Sequence, residues 1–150
     1  MERSLCLEHK VVIKIARPED LPDLFEMVDL YDENVQINRN KTKNALREML
    51  YNSGVFFAIL DGKTIGGIGA YCLPCLYNDD VMFCIMFFFV KKGFRKYTKD
   101  IVKELEMVLM PTAVSKILYG FLSGQNQAKQ LRFMRMLGYK GFETHVYKNI

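Results

Sequence analysis

The spacing of apolar residues changes along this chain, and each change marks a new element. His9 to Ala16 alternates as a β-strand does. Arg17-Pro18-Glu19-Asp20 turns the chain, and Leu21, Leu24, Phe25 and Val28 then recur at helical spacing to about Leu30. Asp20 is the expected N-cap, Pro22 sits in the tolerant first turn, and Asp23 complements the helix dipole. Tyr31 to Asn40 is polar and irregular. Ala45, Leu46, Met49 and Leu50 mark a second helix, closed by Asn52-Ser53-Gly54.

The period then drops to that of strands. Val55 to Leu60 is a short apolar strand, Asp61-Gly62 a hairpin turn, and Thr64 to Cys72 the returning strand. Gly66, Gly67 and Gly69 fall inside that strand; no helix follows them, so they read as close packing or a bulge, not as a phosphate loop. Val81 to Val90, VMFCIMFFFV, reads as a strand buried on both faces. A basic loop, Lys91 to Lys99, leads into a helix striped by Ile101, Val102, Leu105, Val108 and Leu109 and ended by Pro111. Lys116 to Leu122 is another strand. A last helix through Ala128, Leu131, Met134 and Leu137 is capped by Gly138, and Tyr139 to Lys148 closes with a pair of strand segments. The order βααβββαβαβ(β) needs both hairpins and a parallel crossover. It predicts an α/β (α+β) fold: a mixed, mostly antiparallel sheet with helices on both faces.

Composition narrows the setting. At 150 residues, half hydrophobic and a quarter charged, with no linker or repeat, the chain is expected to form one domain over 1–150. The run Val81–Val90 is half the length of a membrane-spanning helix, and the charged start MERSLCLEHK lacks the apolar stretch of a signal peptide, so a cytoplasm is expected. A net charge of +4 permits nucleic-acid binding without arguing for it. Cys72-Leu-Pro-Cys75 has redox or zinc spacing, but it follows a strand and precedes the turn Asn78-Asp79-Asp80. The only histidines are His9 and His145, near opposite chain ends. Reduced thiols and no metal are the expectation.

Three segments, in this order, resemble the GNAT N-acetyltransferase superfamily, and its short phage-encoded members in particular. VVIKIARPEDLPDLFEMV is similar to the opening strand and "R-P-x-D-x-x-x-L" helix start, and VFFAILDGKTIGGIGAY to the second and third strands with their Asp-Gly hairpin. RFMRMLGYKGFETHVYKNI is similar to the closing helix, its "LGF" cap and the last strands.

The resemblance implies an acetyl-CoA site in a V between Val81–Val90 and Lys116–Leu122. The pantetheine would lie like an extra strand along Phe88, Phe89 and Val90. The pyrophosphate would sit on the following helix start, among Arg95, Lys96, Tyr97, Thr98 and Lys99. In the family's Q/R-x-x-G-x-G/A loop, small residues let phosphate approach the amides; here Arg95 fits, while Thr98 and Asp100 replace both glycines. A Thr98 hydroxyl can donate to phosphate, and the cluster Lys91, Lys92, Arg95, Lys96, Lys99 supplies charge-assisted contacts. A solvated basic loop is the plainer reading of the same residues. Asn126 matches a cofactor-contacting asparagine. Asp32 and Glu33, with Asp29, lie where the acceptor amine would bind, or form a solvated helix end.

The implied chemistry is direct attack of an amine on the thioester, with amides of a bulged fourth strand polarising its carbonyl. No catalytic acid or base is assigned: Met134 stands where many members carry a tyrosine, and Tyr119 and Tyr139 do not match the motif. Asp79 and Asp80 read as a turn at the strand's start. The expected partners are acetyl-CoA and an amine acceptor, a protein or a small molecule. A homodimer is admissible, no membrane partner is expected, and nucleic acid is disfavoured. The alternative is a catalytically degenerate binding protein on the same scaffold, for example a phage protein acting on a host factor in the host cytoplasm.

Overall fold

The computed structural model describes residues 9–30, 37–52, 54–76, 78–119 and 127–140. Among the described residues nine strands and α-helices follow the expected order: β1 (Val11–Ile15), α1 (Leu21–Asp29), α2 (Arg39–Tyr51), β2 (Val55–Leu60), β3 (Lys63–Pro74), β4 (Val81–Val90), α3 (Thr98–Leu109), β5 (Lys116–Tyr119) and α4 (Gln127–Met136). They group into two compact units, divided between Gly120 and Phe121. The first holds a five-stranded sheet in the order β1-β2-β3-β4-β5, antiparallel except for the parallel pair β4–β5.

Each face of the sheet carries its own core. Ile101, Leu105 and Leu109 of α3 pack with Val11, Phe56, Ile68 and Phe83 on one face. Leu24, Met27 and Val28 of α1 and Leu46, Met49 and Leu50 of α2 pack with Phe57 and Phe87 on the other. The glycines of β3 make the second packing possible. A Cβ on Gly67 would meet Met27 Sδ at 2.8 Å, and one on Gly69 would meet Leu46 Cδ2 at 2.7 Å. The two helices therefore rest on bare backbone, as the close-packing reading expects.

Local chemistry sets the boundaries. Asp61 and Gly62, at φ 51° and 75°, form the β2–β3 turn, a left-handed pair that aspartate and glycine tolerate. The Asn38 side chain caps α2 by accepting the Lys41 N–H at 3.0 Å. Asp20 departs from its expected role. It makes no side-chain cap on α1; its carboxylate accepts the Arg17 N–H at 2.7 Å, closing a 3-10 turn over Pro18–Asp20. The reason is geometric: Asp20 itself is already helical, at φ −84° and ψ 0°, so its side chain points back toward Arg17.

The second unit holds α4, which ends at Gly138 in the left-handed conformation, with the Tyr139 N–H reaching Met134 O at 3.1 Å. Tyr139 and Lys140 are outside any strand, and the rest of the expected closing strands lies outside the described residues.

Candidate active site

The site begins with an irregularity in β4. Gly69 faces Phe87 across the β3–β4 ladder, whereas Ala70 faces Ile85, so Met86 is an extra residue: a β-bulge. The bulge reverses the parity of the strand. Phe83 and Ile85 belong to the α3 face and so do Phe88 and Val90, while Phe87 and Phe89 belong to the other. Regular alternation cannot put residues 83, 85, 88 and 90 on one side. This also explains how three consecutive phenylalanines find cover: Phe87 and Phe89 stack at 6.5 Å, and Phe88 meets Tyr119 edge-on at 5.9 Å. Met86 corrects the expectation of a strand buried throughout, since it is 65% exposed.

The start of β4 is clamped to β5. Lys116 donates from its ammonium to the Asp80 carboxylate, and the Ser115 hydroxyl donates to Asp80 at 3.1 Å. Ser115 N–H bonds Val81 O at 2.9 Å, and Val81 N–H bonds Ser115 Oγ at 3.0 Å. These contacts set the parallel register Met82–Lys116 to Ile85–Tyr119, so Asp80, read from the sequence only as part of a turn, is a register clamp. Hydrogen bonding from Lys116 holds the Asp80 carboxyl below its usual range, against a smaller opposing effect of burial. A lowered folded pKa adds stability above about pH 4 that is lost as pH falls further. Thermal melts should therefore show the gap between wild type and Asp80→Asn closing from pH 6 to pH 3.

The other end of β4 leads straight into the basic segment. Lys91 N–H closes the ladder on Ile65 O at 2.8 Å, Lys92–Tyr97 coil as a 3-10 helix, and α3 follows without a break. Phe94 and Tyr97, three apart and so on one side of that coil, pack against the α3-face core. Lys92, Arg95, Lys96 and Lys99 are exposed around them, with Lys96 Nζ 5.2 Å from the Tyr97 ring centre. Arg95, Lys96, Tyr97, Thr98 and Lys99 are thus brought together where β4 meets α3, with Tyr97 as an anchor. Thr98 spends both its N–H and its hydroxyl, the latter at 2.6 Å, on the Arg95 carbonyl. Asp100 is exposed in the first turn of α3.

A cleft of about 400 Å³ opens beside this turn, lined by Asp23 and Glu26 of α1, Lys63 and Thr64 of β3, and Lys91 and Phe94. Its two carboxylates suit phosphate poorly and leave the α3 side of the turn as the better anion site.

Asn126, Asp32 and Glu33 lie outside the described residues. Asp29 is already engaged, at 2.8 Å from Lys43 Nζ and 4.0 Å from Arg39 Nε. Among the described residues Cys72, Cys75 and Cys84 are in no disulfide, and burial pushes the Cys72 thiol up, away from the thiolate that redox chemistry or metal binding needs. Met86 was invisible as a special position. The resemblance implied a bulge, but nothing in an unbroken apolar run shows which residue is the extra one.

This fold is similar to that of solved acetyltransferases, a GNAT family member among them. An aminoglycoside acetyltransferase from an uncultured soil metagenomic sample superposes with a TM-score of 0.67 at 18% identity, over 93% of this chain and 96% of its own. A GNAT family acetyltransferase of Staphylococcus aureus gives 0.66 at 20% identity, over 94% and 99%. A ribosomal-protein-alanine N-acetyltransferase of Brucella melitensis gives 0.68 at 14% identity, over 94% and 100%. No family model and no curated relative matches the sequence.

Proposed function

We propose that this protein transfers the acetyl group of acetyl-CoA to an amine of a protein or small molecule. The observation that carries this reading is the continuous path from the bulge at Met86, along Phe88–Val90, to a cluster of exposed cations at the start of α3. The donor set suits the cofactor: phosphates seek cations and the positive end of a helix dipole, and Arg95, Lys96 and Lys99 stand there together. When bound, acetyl-CoA supplies an acetyl group activated as a thioester.

The chain's own residues do the rest. Arg95, Lys96 and Lys99 hold the phosphates, and Phe94 and Tyr97 fix the coil that presents them. Phe88, Phe89 and Val90 provide the strand along which the pantetheine arm lies. A bulge leaves its extra residue outside the ladder, so the Met86 amide is the donor assigned to the acetyl carbonyl, where charge develops during attack. Asn126 remains assigned to the cofactor, and Asp32 and Glu33 to the amine, on the family resemblance alone. Two of the structural neighbours are named for amine acceptors, one an aminoglycoside and one a ribosomal protein, so the scaffold accommodates acceptors of very different size. We place the reaction in a cytoplasm, where thiols such as Cys72 and Cys75 stay reduced.

A specific observation favours the second reading, a binding protein on the same scaffold. Thr98 has no donor left over for phosphate, and Asp100 puts a negative charge in the first turn of α3. Release of free CoA thiol from acetyl-CoA separates the two. Transfer predicts release that rises with added amine; thiol release that no amine accelerates supports the binding protein.

A further inference from the structure

We infer that the acceptor carries an apolar or aromatic group next to its amine, and that the Met86 side chain is the surface this group packs on. The inference rests on the transferase reading and names its substrate class. Met86 is 65% exposed, in a strand whose other members are buried or half-buried. Among the described residues the other well-exposed methionines, Met107, Met110 and Met136, lie on or at the ends of α3 and α4. Met86 alone of these stands in the middle of a strand.

Its position ties it to the reaction. Met86 lies four residues, about 13 Å of strand, from the end of β4 where the phosphates are held. An arm running back along Phe88–Val90 therefore delivers its acetyl end to the bulge, and the Met86 thioether is beside it. The strand itself is apolar: from Val81 to Val90 it carries no charged residue, and Phe87, Phe88 and Phe89 follow the bulge. A flexible, polarisable thioether adapts to aliphatic and aromatic partners alike. Polycationic amines gain nothing here from their extra charges, because no residue of the strand carries a counter-charge for them.

The test compares phenethylamine, ethanolamine and spermidine as acceptors, with acetyl-CoA binding followed separately by calorimetry. Wild type should show kcat/KM at least about tenfold higher for phenethylamine than for ethanolamine, the scale of discrimination by apolar contacts. Met86→Ser should collapse that ratio and Met86→Leu should restore it. With CoA present, the Met86 methyl resonance should shift as phenethylamine is added, a readout that does not depend on turnover. A preference for spermidine, a ratio unchanged in Met86→Ser, or a methyl resonance that stays put overturns the inference. Failure to bind acetyl-CoA overturns the transferase reading beneath it, whereas binding with a ratio near one in wild type overturns the apolar acceptor alone.

Discussion

Gly54→Ala is expected to cost about 2–4 kcal/mol of stability, from overpacking together with a distorted hydrogen bond. A Cβ at this position would stand 2.1 Å from the carbonyl oxygen of Ala70. The obstacle is backbone, so no rotamer change relieves it. Gly54 O also accepts the Ala70 N–H at 2.8 Å, and Gly54 N–H reaches Met49 O at 2.9 Å, so the residue joins the end of α2 to β3. Ala70 is where the β3–β4 register shifts, directly across from the bulge. The substitution therefore acts on the fold and on the site together. At about 2–4 °C per kcal/mol for a chain of this size, thermal melts should show a loss of roughly 5–15 °C. A melting temperature within a degree of wild type would mean that the Gly54–Ala70 contact does not hold the bulge.

The second large effect falls on binding. Arg95→Ala should weaken acetyl-CoA affinity by about 1.5–3 kcal/mol, roughly 10–150-fold, the worth of a hydrogen bond to a charged group. The Arg95 side chain is exposed and its structural contribution is made by its carbonyl, which Thr98 uses, so the fold should survive the change. Because the cations are exposed, affinity should also fall with added salt. Asp100→Asn is the counter-test, with opposite signs on two observables. Removing a negative charge beside the phosphates should tighten binding. Removing an acid from the first turn of α3 should lower stability by about 0.3–1 kcal/mol. A chain in which Arg95→Ala unfolds the protein and Asp100→Asn leaves affinity unchanged uses this segment only as a structural coil.

Element order was legible because each element carries its own period. The α3 stripe of Ile101, Val102, Leu105 and Leu109 is buried as the spacing predicts, and the Asp61-Gly62 turn has the left-handed angles those residues tolerate. The β3 glycines were legible as a packing device, but their partners were not, since Met27 and Leu46 reach them only through tertiary contact. Gly54 looked like the punctuation after a helix; its close approach to Ala70 is a fact of sheet pairing. The basic segment could be placed along the chain, but its coiling into a 3-10 helix could not. Thr98 shows the consequence, because its hydroxyl is free on paper and committed to Arg95 in the fold. Met86 was the hardest to see. Ten apolar residues in a row carry no alternation to break, so the residue that the bulge displaces leaves no trace in the pattern.

The most direct test of the account is a calorimetric titration of the wild-type protein with acetyl-CoA, paired with thermal melts. A ligand that binds only the folded chain stabilises it by mass action. The account predicts saturable binding in the micromolar range, weaker at higher salt, with a rise in melting temperature as acetyl-CoA is added. No heat of binding and no shift in melting temperature at millimolar acetyl-CoA would contradict it.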